Sequence, residues 1–327
     1  MRIEIILNNF PFLRIMKVKE KPEDFIVKEV MDIEVRNRGR YLYFLLKKVN
    51  YNTIDAIEKI ARALNIVHTR FGFAGNKDKF AITEQFVSVE NVKKENIERI
   101  RLEGIEIKFL GYGDKPISLG DLEGNRFVIT IRGLNEDEIR SFKSNIKKKN
   151  ILIPNYFGEQ RFSSKNVEVG KAIIKRNFEK ATMLLGLDII ENDYIGALRK
   201  INKKILKLYV HSYQSYIFNE TIRKYLKLDI KKNEKIPVVG FGTELEKYNR
   251  KLQDIINKIL KKEKIHLRDF ILPRMPELSE YGTERDLFFE VKELKVLEEG
   301  ENWLRISFFL KKGCYATEAI KYLFNSI

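Results

Sequence analysis

The run Gly75-Asn-Lys-Asp78-Lys-Phe-Ala-Ile-Thr-Glu-Gln85 presents one carboxylate between two lysines, directly after a Gly-Asn turn signal. Positive charge on both sides favours the anion. An ionised, positioned carboxylate can act as a nucleophile or as a base. Taken alone, the run also has a plainer reading, an Asp that closes a turn with its own side chain. From Ala81 to Glu90 apolar and polar residues alternate as in a half-buried strand, which places Asp78 on a turn at a strand entrance.

The elements around this turn are strand-rich. Strands are expected at residues 2–7 and 15–19, after the Pro22-Glu-Asp-Phe25 turn, and at Tyr41–Lys48, with two more near 105–110 and 126–132. Asn52 and Thr53 are candidate N-caps of a helix with Ile54, Ile57, Ala61 and Leu64 on one face. Asn135 and Glu138 form a capping-box pattern ahead of Ile139, Phe142 and Ile146. After Pro154 the pattern turns helical over residues 166–186 and 198–226. An amphipathic helix follows, with Leu252, Ile255, Ile256, Ile259 and Leu260 on one side. Strands then return at Leu287–Val291 and Leu304–Leu310. This order predicts an α+β protein with much antiparallel pairing, in which a helix-rich block interrupts a strand-rich one.

Composition narrows the partners. The chain has 327 residues, with 62 Lys and Arg against 46 Asp and Glu, a formal charge of +16. Charge of that sign favours phosphate backbones. One cysteine, Cys314, and three scattered histidines, His68, His211 and His266, offer no metal-ligand spacing, so no metal is expected. No Gly-x-x-x-x-Gly-Lys-Ser/Thr cradle is present, and Gly240-Phe-Gly242 lacks the third glycine of a dinucleotide fingerprint. No apolar stretch approaches membrane-spanning length, and the Ile-Ile-Leu run near the N-terminus is too short for a signal peptide. A cytoplasmic protein without a membrane partner is expected.

Further runs carry more polar, glycine and aromatic residues than simple packing requires. They are Gly124-Asn125-Arg-Phe127, Pro154-Asn155-Tyr-Phe-Gly158-Glu-Gln160-Arg161-Phe162, Gln214-Ser215-Tyr-Ile-Phe218-Asn219 and Gly313-Cys-Tyr315-Ala316-Thr317. Singly, these read as a hairpin turn, a loop staple, a helix with satisfied amides and a capped helix start. Together with Pro22-Glu-Asp-Phe25-Ile-Val-Lys-Glu29 and the Asp78 run, in this order from about residue 15 to the C-terminus, they resemble the TruD family of tRNA pseudouridine synthases. Two positions depart from that pattern, Ser163 where glycine is common and Lys321 where arginine is often found.

The resemblance implies a pseudouridine-synthase-like core, a bent mixed and largely antiparallel sheet with flanking helices, over residues 1–154 and 276–327. It also implies an inserted helix-rich α/β domain, the TRUD domain, over residues 155–275. The implied activity is isomerisation of uridine to pseudouridine in tRNA, usually at position 13 of the D-arm, without metal or cofactor. Asp78 matches the catalytic aspartate, Phe25, Asn125 and Tyr315 match positions lining the uridine, and Lys19 matches a basic position near the nucleophile. A uridine within a stem must be flipped out, at a cost of a few kcal/mol that aromatic stacking offsets. Two other classes compete with this expectation. A basic RNA-binding or ribosome-assembly protein explains the charge but not the motifs around one aspartate. A metal-dependent nuclease needs converging carboxylates.

Overall fold

A computed structural model describes residues 3–7, 14–146, 151–162, 165–228, 230 and 232–325. Residue 2 of the first expected strand, Ser163, and parts of the lysine clusters at 143–149 and 231–235 lie outside the described residues. The chain divides into two compact units, Met1–Ile153 with Phe289–Ile327, and Pro154–Phe288. The second boundary falls after residue 288 rather than 275. Strand β11 (Thr283–Asp286) pairs with β10 (Lys235–Val238), and Leu287 N–H donates to the Glu234 carbonyl at 2.8 Å, which ties 276–288 to the helical unit.

The first unit holds one large mixed sheet. Its strands are β1 (Ile3–Leu7), β2 (Arg14–Val18), β3 (Phe25–Val30), β4 (Tyr41–Val49), β5 (Phe71–Phe73), β6 (Ile82–Glu90), β7 (Ile105–Gly113), β8 (Gly124–Arg132) and β9 (Ile151–Pro154). Two more come from after the insertion, β12 (Phe288–Gly300) and β13 (Trp303–Lys311). The order is β7-β4-β6-β3-β8-β13-β12-β9; β2 also pairs with β8, β1 with β2, and β5 with β6. Among the registers described, only β3–β6 is parallel. This is the mixed, largely antiparallel sheet expected from the sequence.

Helices cover the sheet. Helix α1 (Thr53–Ala63) starts at Asn52, whose side chain accepts from Asp55 N–H, so Asn52 is the cap. Ala56, Ile57, Ile60 and Ala61 form its buried stripe, whereas Ile54, at the edge of that stripe, is exposed. Helix α2 (Lys94–Glu98) is short. The expected Asn135–Glu138 capping box starts α3 (Glu136–Asn145), and Phe142 of α3 stacks on Phe324 of α9 (Ala316–Asn325), centroids 4.7 Å apart. Two main cores result: Phe25, Phe127, Ile129 and Phe308 in one, and Phe44, Leu46, Ile57 and Val87 in the other.

The second unit packs α4 (Asn166–Ile174), α5 (Phe178–Leu185), α6 (Tyr194–Arg199), α7 (Lys203–Tyr225) and α8 (Arg250–Glu263) around its own core. The helical runs expected over 166–186 and 198–226 are broken at Lys175–Asn177 and Lys200–Asn202, where Asn177 and Asn202 cap the helices that follow.

Candidate active site

Strand register sets a row of polar side chains on one face of the first unit's sheet. Glu29 of β3 lies opposite Asn125 of β8, and Val27 opposite Phe127. The parallel β3–β6 pair puts Val27 beside Thr83, and β4 puts Lys48 opposite Thr83 and Leu46 opposite Gln85. Directly paired residues point to the same face. Lys48, Thr83, Gln85, Glu29 and Asn125 therefore share it, and the first four are buried.

The turn carrying Asp78 rests on this row. Thr53 Oγ1, at the first turn of α1, accepts from Lys77 N–H at 2.8 Å and donates to Gln85 Oε1 at 2.8 Å. Gln85 Nε2 donates to the Gly75 carbonyl at 3.1 Å. The Lys77 ammonium pairs with Glu29, whose side chain is fully buried and whose other oxygen accepts from Phe86 N–H at 3.2 Å. Lys77 was expected to lie beside the Asp78 carboxylate and does not. Neighbours along an irregular segment diverge, and the buried Glu29 carboxylate draws the Lys77 chain beneath the turn.

The cation that does meet Asp78 is Lys19. Its Nζ forms an ion pair with Asp78 Oδ2, the Lys19 side chain being 4% exposed and that of Asp78 47%. The other carboxylate oxygen accepts no hydrogen bond from the described residues and is available to solvent. The Lys19 ammonium also sits 3.8 Å from the centre of the Phe25 ring, a cation–π contact. Lys19 follows β2 with φ of 71°, a left-handed conformation that costs a lysine about 1–2 kcal/mol. Such strain marks a position where side-chain direction matters more than backbone comfort.

Phe25 is 4% exposed, edge-on to Phe127 with centroids 6.0 Å apart, and its face is taken by Lys19. Its ring is a floor beneath the ion pair rather than an open stacking surface. Asn125 carries a buried Oδ1 with no hydrogen-bond partner among the described residues. A buried amide oxygen left without a donor costs about 1–3 kcal/mol, so its unmet acceptor capacity is an observation in favour of a ligand. Tyr315 is half-buried at the start of α9, and its carbonyl accepts from Ala319 N–H at 3.1 Å. The sequence reading passed over Lys48, whose buried ammonium donates to the carbonyls of Tyr51, Lys77 and Asp78. The available signal was the Lys47-Lys48 doublet in an alternating strand: Lys47 faces out to Glu106, so its neighbour must face in.

The polar motifs of the second unit serve one another. Asn219 accepts from Phe157 N–H at 2.9 Å and donates to the Phe157 carbonyl at 3.0 Å, and Gln214 donates to the Val239 carbonyl at 2.8 Å. Asn155 donates to the Asp286 carbonyl at 3.0 Å, and Arg285 stacks over Phe157 at 4.5 Å. Among the described residues no group of three or more His, Cys, Asp or Glu could hold a metal ion, and no helix is long and apolar enough to cross a membrane.

Known proteins are similar to this chain over nearly its whole length. The family profile of tRNA pseudouridine synthase D (TruD) matches residues 14–192, 182–237 and 230–322. The tRNA pseudouridine synthase D of Aquifex aeolicus is 32% identical, with 95% of this chain and 98% of that protein covered. A relative from Thermococcus sibiricus within the same family is 31% identical over 93% of this chain and 94% of its own length. A crystal structure of the TruD protein from Methanosarcina mazei superposes with a TM-score of 0.72 at 26% identity, covering 95% of this chain and 93% of that one. With the family profile matched over most of its length and a relative 32% identical along 95% of it, this chain belongs to the TruD family of tRNA pseudouridine synthases.

Proposed function

We propose that this protein isomerises uridine to pseudouridine at position 13 of the tRNA D-arm, with Asp78 as the catalytic carboxylate. The family supplies the coarse activity, a tRNA pseudouridine synthase. The half-exposed Asp78 carboxylate, anchored through one oxygen by the buried Lys19 ammonium, carries the assignment of the residue. One oxygen is held while the other accepts no hydrogen bond from the described residues and keeps its lone pairs for C1′ or a proton, the arrangement a positioned nucleophile or base requires.

The reaction breaks the C1′–N1 bond and rejoins the ring through C5. Asp78 either adds to C1′ as the uracil leaves, its C1′–O bond breaking when C5 attacks C1′, or removes the C2′ proton to give a glycal and returns it to C2′ as C5 adds to C1′. In both routes the electron pair of the C1′–N1 bond departs with the base, the C5 proton is lost after the new C–C bond forms, and N1 takes up a proton. Lys19 keeps the carboxylate in place, and the Phe25 ring supports Lys19 from below. The unpartnered Oδ1 of Asn125 is an acceptor for the uracil N3–H or a ribose hydroxyl, and Tyr315 supplies an aromatic face for the flipped base. A site built on the first unit's sheet and fed by tRNA is consistent with a cytoplasmic enzyme.

The test is pseudouridine mapping of unmodified tRNA before and after incubation with purified protein in EDTA. A new pseudouridine at position 13 is expected. Modification elsewhere in the tRNA contradicts the positional assignment, and tight binding without turnover contradicts the enzyme itself.

A further inference from the structure

Beneath the Asp78 turn, three main-chain carbonyls converge on one buried ammonium. Lys48 Nζ lies 2.5 Å from the Tyr51 oxygen, 3.0 Å from that of Asp78 and 3.4 Å from that of Lys77. The Lys48 side chain is fully buried, and it enters from β4, whose register is fixed on one side by β6 and on the other by β7. The turn itself has no strand pairing between Phe73 and Ile82, and its other anchors include the Thr53–Lys77, Gln85–Gly75 and Gly120–Ala74 hydrogen bonds and the Lys77–Glu29 and Lys19–Asp78 pairs.

We propose that Lys48 is a positioning residue for the reaction, its ammonium gripping the peptide groups of Lys77 and Asp78 from below so that the Asp78 carboxylate meets Lys19. This deepens the functional reading above and rests on it. Only the protonated form fits: an ammonium has three hydrogens for three carbonyls, whereas a neutral amine turns a lone pair toward one of them. Lys48 does not touch the carboxylate, and Lys19 holds that from the other side.

The geometry predicts a pH response. The Lys48 pKa is lowered from 10.5 to about 8, chiefly by burial and also by the Lys77 ammonium, against the opposing pull of Asp78 and Asp55. Of these groups, Lys77 is paired with Glu29 and Asp78 with Lys19, and Asp55 accepts from Asn52; Thr83 and Ile105, opposite Lys48 on the adjacent strands, are neutral. Above about pH 8 the third donor is lost and the turn loosens. Global stability moves the other way. The folded state releases this proton before the unfolded state does, so the contribution of Lys48 to stability rises with pH between about 8 and 10.5. Falling turnover over a pH range in which this group's own contribution to stability rises is a signature that a purely structural lysine would not give.

The experiment has two arms. In the wild-type protein, amide hydrogen exchange is followed at Lys77 N–H, which is bonded within the turn, and at the β4–β6 ladder. Between about pH 7 and pH 9.5 the Lys77 protection factor should fall about tenfold or more while the ladder stays constant. In Lys48→Met, the single-turnover rate on tRNA should fall about tenfold or more with tRNA affinity within about threefold, and its alkaline limb near pH 8 should vanish. Constant Lys77 protection over that range overturns the proposal, as does a folded Lys48→Met with turnover within about twofold of wild type. Should Lys48→Met not fold, the wild-type arm decides alone. The exchange arm does not depend on which residue is catalytic, so a failure of the Asp78 assignment is seen separately.

Discussion

At the scale of single residues, the site is one carboxylate whose two oxygens have different partners. Lys19 holds one oxygen of Asp78, and solvent or substrate meets the other. Lys19→Met keeps most of the volume and removes the ammonium. It should lower single-turnover rate about tenfold or more with little loss of melting temperature, because the freed Asp78 is half exposed and can hydrate. A variant as active as wild type would place the ion pair outside the mechanism. Phe25 behaves differently. A ring 4% exposed and packed on Phe127 is part of the core, so Phe25→Ala should cost about 3–5 kcal/mol in urea unfolding as well as activity. A stability loss under about 1 kcal/mol would show that the ring is not packed as described. Asp78 stands out in the sequence through its motif, whereas Lys19 lies in none of the ordered motifs and is marked by the resemblance alone. Lys77 was misplaced because adjacency in sequence does not set side-chain direction in an irregular turn, and its partner Glu29 stands 48 positions away.

At the scale of elements, the turn between β5 and β6 is held by the sheet below it rather than by its own hydrogen bonds. Glu29 and Lys77 are nearly fully buried as a pair. Removing one charge leaves the other uncompensated in a low-dielectric site, so Glu29→Gln should destabilise the first unit by about 3–5 kcal/mol. Urea unfolding checks this, and a change under about 1 kcal/mol would mean the pair is hydrated. The strands around Asp78 were readable from period-two alternation, and the α3 start from its capping box. Which strands pair was not. Alternation names a buried face but no neighbour, and the parallel β3–β6 contact that brings Val27 beside Thr83 joins residues far apart in the chain. The reach of the second unit to Phe288 is hidden for the same reason: Thr283–Asp286 belongs with Lys235–Val238 through a pairing that neither segment announces.

At the scale of the whole molecule, a formal charge of +16 must meet a polyanion much larger than a uridine. Phosphate neutralisation releases counterions, so tRNA affinity should weaken steeply with salt, by about one decade of affinity per decade of salt for each phosphate contacted. Filter binding across a salt series measures the slope. An affinity nearly independent of salt would contradict phosphate-dominated docking. Composition predicted this class of partner, while membership of the family was carried by the order of motifs along the chain. Several of those motifs, such as Phe157 with Asn219, turn out to staple the second unit internally.

The most direct measurement is single-turnover formation of pseudouridine at tRNA position 13 by Asp78→Asn, with tRNA affinity measured in parallel. The substitution keeps the volume and removes the reactive anion, together with its ion pair to Lys19. Turnover should fall to background while tRNA affinity stays within about threefold of wild type. Substantial pseudouridine formation by Asp78→Asn would contradict the assignment of Asp78 as the catalytic carboxylate.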